Sequence, residues 1–336
     1  MKAWQLMEAT GPDGLKLQEM ADPKPSPGQV VVRVRAMSLN YRDLMIASSQ
    51  YRMPAVLPLI PLSDGAGEIT AVGAGVTRWK RGDRVAGTFF QNWIGGPVRP
   101  EAFQAALGGT LNGMLAESVS LSADGIVAIP PHLSFEEAST LPCAALTAWN
   151  ALVNNGHVSA GQTVLVLGTG GVSLFALQFA KLHGARVIIT SKDDEKLAHA
   201  RVVGADEVIN YRTTPEWERE VLRLTDQAGA DHIVEVGGHD TFPKSLRALA
   251  LGGMISVIGG VSGFDSQVAL GEIVGRCARI RGIYVGNRDL FEAMNRAMTL
   301  KRLKPVVDRV FSFTDAPAAY RYQQSGAHFG KIIITA

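Results

Sequence analysis

The sequence predicts an α/β chain in two parts, one β-rich and one a doubly wound parallel sheet. Three observations predict it. A hydrophobic alternation of period two, broken by Gly and Pro, runs through the first third. From about Leu141 apolar strands alternate with helical segments, and a glycine-rich turn, Gly168–Ser173, lies between one such strand and the next helix. With 336 residues, 46% hydrophobic and 19% charged, the chain is long enough for two domains and globular in composition.

The elements follow in order. Pro23, Pro25, Pro27 and Gly28 form a turn-rich entry to Gln29–Ala36, where Val30, Val32 and Val34 alternate with Val31, Arg33 and Arg35, as in a half-buried strand. Turn signals at Ser63-Asp64-Gly65, Gly73-Ala74-Gly75 and Arg81-Gly82-Asp83 imply short strands of a small barrel or sandwich. Gly95–Gly113, carrying Phe103, reads as a long loop or lid, with Trp93 and Phe103 either walling an apolar pocket or packing. Then come strands at Thr163–Leu167, Arg186–Thr190, Glu207–Asn210, His232–Val236 and Met254–Ile258. Helices are expected up to His183, at Asp194–Val203, near Pro215–Asp226 and at Thr241–Ala250. Parallel strands need long crossovers, which helices supply. The tail offers a strand at Ile283–Val285, a helix at Asp289–Leu300 and strand-like runs at Val306–Phe313 and Lys331–Thr335; it is expected to return to the first domain.

Lys and Arg number 33 against 31 Asp and Glu, a net +2, which provides no basic footprint for nucleic acid and no polybasic membrane tether. No apolar run has the length of a signal peptide or a membrane span. The two cysteines, Cys143 and Cys277, are too few for a disulfide scaffold or a thiolate-rich metal site. The expectation is a cytoplasmic protein that binds neither nucleic acid nor membrane.

Between strand and helix, the run Gly168-Thr169-Gly170-Gly171-Val172-Ser173 has the setting of a dinucleotide fingerprint. Gly168 permits the tight turn, Gly170 lets backbone amides approach a pyrophosphate, and the helix N-terminus supplies N–H groups for its charge. The third fingerprint glycine is replaced by Ser173. The next strand ends Ile189-Thr190-Ser191-Lys192, without the carboxylate that would accept from the ribose hydroxyls of NAD. Ser191 can donate to a 2′-phosphate, and Lys192 or Lys196 can pair with it, which favours NADP(H). Asp193 and Asp194, just beyond, read as helix caps.

Several motifs together resemble the medium-chain dehydrogenase/reductase family along essentially the whole chain. They are Ser38-Leu39-Asn40-Tyr41-Arg42-Asp43, Ser63–Ile69, Val76–Val85, Leu141–Trp149, the glycine turn, Val208-Ile209-Asn210-Tyr211 and Gly330-Lys331-Ile332. The resemblance implies a GroES-like catalytic domain (residues 1–125 and 285–336) and a Rossmann NADP-binding domain (126–284), with the active site in the cleft between them. It places Asn40 and Ser63 where the zinc branch carries its first two ligands, and Cys143 where it carries the last, so no metal site is expected. The quinone oxidoreductase and enoyl reductase branches share the Asn-Tyr-x-Asp pattern of Asn40–Asp43. By that resemblance Asn40 lies near the nicotinamide, and Tyr51 is a proton donor or polarising phenol, or else a tyrosine packed at the cleft mouth. Lys196 and Tyr211 align with positions that meet the 2′-phosphate. Thr147, Gly259-Gly260-Val261 and Tyr284-Val285-Gly286-Asn287 align with those around the nicotinamide. Arg42 and Arg52 are candidate contacts for an anionic substrate tail.

Without zinc, plain alcohol oxidation lacks its Lewis acid. Hydride transfer from NADPH to a quinone or an α,β-unsaturated carbonyl compound is therefore the leading expectation. The alternatives are a metal-free alcohol dehydrogenase and an NADPH-binding protein with a structural or regulatory role. By family habit a homodimer is expected through the last strand of the Rossmann sheet, about Ile280–Val285.

Overall fold

The computed structural model describes residues 1–52 and 55–336. It divides into two compact units, Met1–Leu146 with Val285–Ala336, and Thr147–Tyr284. The first division falls after Leu146 rather than after residue 125. Residues 126–146 stay with the first unit because Ile126–Ala128 adds a strand to its sheet.

In chain order the first unit opens with β1 (Lys2–Leu6) and β2 (Leu15–Glu19), an antiparallel hairpin. There follow β3 (Gln29–Ser38), α1 (Tyr41–Ala47), β4 (Asp64–Val72), β5 (Arg84–Gly87), β6 (Ser118–Ser122), β7 (Ile126–Ala128) and α2 (Phe135–Ser139). The helix α3 (Leu146–Trp149) then carries the chain into the second unit. That unit runs β8 (Thr163–Leu167), α4 (Gly171–Leu182), β9 (Arg186–Ser191), α5 (Asp194–Val203), β10 (Glu207–Asn210) and α6 (Trp217–Leu224). It continues β11 (Ala230–Glu235), α7 (Phe242–Ala248), β12 (Leu249–Val257), α8 (Leu270–Arg276) and β13 (Arg279–Gly282). The chain returns to the first unit as α9 (Arg288–Lys301), β14 (Val307–Ser312), α10 (Ala316–Ser325) and β15 (Lys331–Thr335).

The second unit holds a sheet of six strands in the order β10-β9-β8-β11-β12-β13, all parallel. This order reverses direction at β8, the arrangement that binds dinucleotides at the carboxyl ends of its strands. Leu165, Leu167, Ile188, Ile209, Ile233 and Ile255 fill its core with Trp217, Phe242 and Leu246 from the helices. The strand expected at Ile283–Val285 lies earlier, at Arg279–Gly282, because Val285 takes a φ of +42° that no strand accommodates.

In the first unit β14-β15-β3-β4-β5-β7 form one sheet, with β6 also on β3. The alternation in β3 holds from Val32 onward, Val32 and Val34 being buried and Arg33 and Arg35 exposed, but Val31, expected on the wet face, is buried beside Val30. The tail strands pair here, β15 antiparallel to β3. Gly95–Gly113 is a loop with one short helical turn, partly packed into the first unit. Pro100–Ala105 forms a 3₁₀ turn, Ala102, Ala106 and Leu107 are buried, and Phe103 and Trp93 pack on Phe90 with ring centroids 5.6 and 5.9 Å away. No helix among the described residues is long and apolar enough to cross a membrane.

Candidate active site

Register builds the site in the first unit. Ser38, the last residue of β3, pairs with Ile333 of β15 on one side and with Asp64 of β4 on the other. Three strand ends therefore meet, bringing together Lys331, Asn40 and the Ser63-Asp64 pair. The Leu39 N–H donates to the Ile332 carbonyl (3.1 Å), and Lys331 Nζ donates to the Leu39 carbonyl and to Asn40 Oδ1 (2.6 Å). Asp64 accepts from Ser63 Oγ (2.7 Å) and from the Cys143 N–H (3.2 Å). Asn40 begins α1, and its own N–H donates to Asp43 Oδ2 (2.8 Å). Asn40 Nδ2 and Asp43 Oδ1 are buried and make no hydrogen bond of normal geometry to a described residue, although the Asn40 side chain acts on Asp64 as a weak donor.

Few charges are buried so deeply: Lys331 is 3% exposed, Asp64 0% and Asp43 2%. Burial raises the pKa of both carboxyls, Asp43 to about 6, against the pull of Arg42 on Asp43 and of Lys331 on Asp64. Burial lowers the Lys331 pKa, opposed first by Asp64. It also pushes the Cys143 thiol up, with the Asp64 charge adding to the effect. A zinc ion does not fit this set. Its members at the first two ligand positions are an amide and a hydroxyl, and a buried ammonium stands among them. Among the described residues no three His, Cys, Asp or Glu are grouped to hold a metal.

Arg42 is not a surface residue awaiting an anion. It is 8% exposed, and its guanidinium donates to the Leu107 and Gly108 carbonyls (2.9 and 3.4 Å). Its Cζ lies 4.5 Å from the Phe89 ring centroid and 5.4 Å from that of Tyr51, so the half-buried Tyr51 ring is held by a cation–π contact. Arg52 is exposed.

In the second unit the glycine turn lies at the carboxyl end of β8. Gly168 takes φ +72°, which a side chain resists, and its N–H points to Thr190 Oγ1 (3.4 Å). Gly170 is the N-cap of α4 with no side-chain cap, and a Cβ there meets nothing within 4 Å. Thr169 is buried, and Gly171 and Val172 open the helix, so its first N–H groups stand ready for an anion. Ser173 Oγ donates to the Leu167 carbonyl (2.7 Å), tying helix to strand where the motif expects a third glycine. These residues fit a dinucleotide pyrophosphate.

At the ends of β9 and β10 the Tyr211 N–H donates to the Ser191 carbonyl (3.0 Å), Ser191 is buried and Lys192 exposed. Asp193 caps α5, accepting from the Glu195 and Lys196 N–H groups, and Asp194 accepts from Asn210 Nδ2. Burial raises the Tyr211 pKa. Gly259-Gly260-Val261 leave β12 at the same edge, the Gly259 and Val261 N–H groups donating to the Glu235 and Val236 carbonyls. Tyr284 lies two residues beyond β13. Thr147 is buried in α3. Asn287 is committed structurally in the first unit: it caps α9, and its Nδ2 donates to the Gly96 carbonyl. Gly286 packs so closely on Leu146 that a Cβ would stand 2.9 Å from that side chain.

Sequence reasoning assigned no role to three groups. Lys331 and Asp64 appeared only inside motifs, although a lysine opening the run Ile332-Ile333-Ile334 was a signal for a buried ammonium. Glu235 is fully buried at the end of β11. Its carboxylate accepts from the Gly237 and Gly238 N–H groups, Thr241 Oγ1 and Ser245 Oγ, shaping the turn beside Gly259.

The comparisons agree with this architecture. Residues 26–131 match the alcohol dehydrogenase GroES-like domain, and residues 171–299 match the zinc-binding dehydrogenase domain. A zinc-type alcohol dehydrogenase-like protein of Schizosaccharomyces pombe is 46% identical over 97% of this chain and 96% of its own. A quinone oxidoreductase of Pseudomonas aeruginosa is 35% identical over 91% and 85%, and an acryloyl-coenzyme A reductase of Metallosphaera sedula is 31% identical over 96% of each. The crystal structure of a putative alcohol dehydrogenase from Sinorhizobium meliloti superimposes with TM-score 0.94 at 42% identity, over 100% of this chain and 98% of that one. The chain belongs to the medium-chain dehydrogenase/reductase family, whose members are NAD(P)-dependent oxidoreductases, and it is an oxidoreductase of GroES-like and Rossmann-like build.

Proposed function

We propose that this oxidoreductase works without zinc and transfers a hydride from NADPH to a quinone or an α,β-unsaturated carbonyl compound. The observation that carries the reading is the buried Lys331 ammonium, 2.6 Å from Asn40 Oδ1, with Asn40 and Ser63 where a catalytic zinc would need ligands. A second cation there would meet that charge in a low dielectric. Lacking a Lewis acid, the site suits an acceptor that is already electrophilic. The reduced dinucleotide supplies the hydride. The acceptor gains that hydride and a proton, and its conjugated oxygen carries negative charge between the two events. Asn40 and Tyr51 are the catalytic residues in this reading, and Tyr51 supplies the proton. Gly168, Thr169, Gly170, Gly171 and Val172 hold the pyrophosphate, and Ser191, Lys192, Lys196 and Tyr211 hold the 2′-phosphate. Thr147, Gly259, Gly260, Val261, Tyr284, Val285, Gly286 and Asn287 surround the nicotinamide.

The test is to follow the absorbance of reduced nicotinamide with NADPH or NADH across quinones, enals, enones and simple ketones. Consumption is expected with quinones or enones, faster with NADPH, and indifferent to a chelator. Tyr51→Phe is expected to lower kcat roughly 10²-fold, the scale of a positioned general acid. Turnover confined to simple alcohols and ketones and abolished by chelation would instead support the alcohol dehydrogenase reading that the yeast relative's name favours. Unchanged kinetics in Tyr51→Phe would leave that ring a packing partner of Arg42.

The protein also acts as a homodimer in this reading. β13 ends the Rossmann-type sheet with all four residues exposed, and Ile280, Leu251, Leu270 and Val274 on or near it are 40%, 74%, 74% and 75% exposed. An open edge strand with exposed apolar side chains beside it invites pairing with a second copy about a twofold axis. Sedimentation is expected to give twice 35.9 kDa, and Ile280→Lys to give the monomer. A monomeric parent protein would refute the assignment.

A further inference from the structure

We propose that Lys331 is a positioning residue. Its ammonium fixes the Asn40 amide so that the NH₂ edge of Asn40 becomes the donor to the acceptor's oxygen as negative charge develops there. This rests on the reductase reading and names the group that stabilises the charge.

The argument is one of donors and acceptors. A lysine ammonium has N–H donors and no acceptor, so only the oxygen of the Asn40 amide can face it. Lys331 Nζ meets that oxygen at 2.6 Å, and its contact with the Leu39 carbonyl keeps it from swinging away. Register holds the lysine itself, since Lys331 begins β15 where β3 ends. The amide thus has one orientation, and burial leaves it little room to rotate, Asn40 being 8% exposed. Its Nδ2 makes no hydrogen bond of normal geometry to a described residue, although Asn40 acts on Asp64 as a weak side-chain donor that favours the ionised carboxylate. A buried N–H₂ group left with hydrogen-bonding capacity is costly unless something accepts from it. An oxygen gaining charge during hydride transfer is such an acceptor, and a donor fixed beforehand costs no reorganisation when that charge appears. Lys331 acts through Asn40 and through the positive potential it adds behind the amide. The opposing idea is that Lys331 only neutralises Asp64.

Binding of 4-nitrophenolate in the presence of NADP⁺ separates these ideas without turnover, because the phenolate oxygen imitates an enolate and its absorbance reports ionisation. Asn40→Asp keeps an oxygen facing Lys331 and removes the NH₂ donor. The Asp64→Asn/Lys331→Met pair, compared with Asp64→Asn alone, removes the lock on the amide without stranding a buried charge. Asn40→Asp is expected to weaken phenolate binding about ten- to a hundredfold, the range of a hydrogen bond to a charged group. Adding Lys331→Met to Asp64→Asn is expected to cost about tenfold or more. Three results would overturn the proposal: a parent protein that binds no phenolate, Asn40→Asp binding like the parent, or the double variant binding like Asp64→Asn. Absence of turnover with every quinone and enone, alongside the expected binding pattern, would sink the reductase reading and leave the role of Lys331 standing.

Discussion

Lys331→Met is expected to destabilise the first unit by about 3–5 kcal/mol, the cost of leaving the buried Asp64 carboxylate without the opposite charge that acts on it through space. The groups that donate to Asp64 are all neutral, the Ser63 hydroxyl, the Cys143 N–H and the Asn40 side chain, and the Leu39 carbonyl and Asn40 Oδ1 lose their shared donor as well. Against a total of roughly 5–15 kcal/mol for a whole domain, that is a large share. Because the chain has two units, a single melting curve mixes them. Amide exchange of peptides spanning β3 and β15 reports the first unit alone. The companion variant Asp64→Asn/Lys331→Met removes both charges and is expected to recover most of the loss, since a buried pair replaced as a whole is often neutral in effect. A loss below about 1 kcal/mol in the single variant would mean that the ammonium does not hold the cluster together.

The parallel sheet was legible because its signals are local. Thr163–Leu167, Glu207–Asn210 and Asp194–Val203 fall where the apolar runs and the acidic first turn put them, and the glycine turn joins the first of these strands to its helix. The alternation in β3 showed which face is wet. What failed was local in a different way. Val285 looked like the end of a strand, but its left-handed backbone is a property of the turn it occupies. Gly95–Gly113 was legible as a loop, but not that the carbonyls of Leu107 and Gly108 in it serve a buried arginine from α1. The helix α10 was passed over, although its buried residues Ala316, Ala319, Tyr320 and Gln323 keep helical spacing.

The candidate site was legible only in halves. Asn40 and the glycine turn carry type and spacing that a sequence displays. Lys331 lies 291 residues from Asn40, and only the antiparallel register of β15 on β3 brings them together. Arg42 and Arg52 are two of a kind in sequence, yet one is buried under Tyr51 and Phe89 and the other is exposed. Charge in a sequence does not say whether it will be solvated; the fold decides that.

Asp43 provides the second large effect, and its sign is opposite to that of an ordinary surface carboxylate. Its side chain is fully buried, one oxygen accepts from the Asn40 N–H, and Arg42 stands 4.0 Å from the other. Burial outweighs these attractions and raises its pKa from the usual 3.8 to about 6. Between about pH 4 and 6 the folded chain therefore holds a proton that the unfolded chain has released. The contribution is fully present below pH 3.8 and is lost as the pH rises through 6, so stability falls across this window. The loss is about 3 kcal/mol, at roughly 1.4 kcal/mol for each pKa unit. Asp43→Asn keeps an oxygen for the Asn40 N–H and cannot ionise. Its stability relative to the parent is expected to improve by about 3 kcal/mol between pH 4 and pH 7, again read by exchange in β3 and β15. Asp64 and Lys331 titrate in both proteins and largely cancel in the comparison. A difference that stays flat with pH would show that the Asp43 carboxyl titrates in the folded protein as it does in the unfolded chain, and that Arg42 and the Asn40 N–H fully offset its burial.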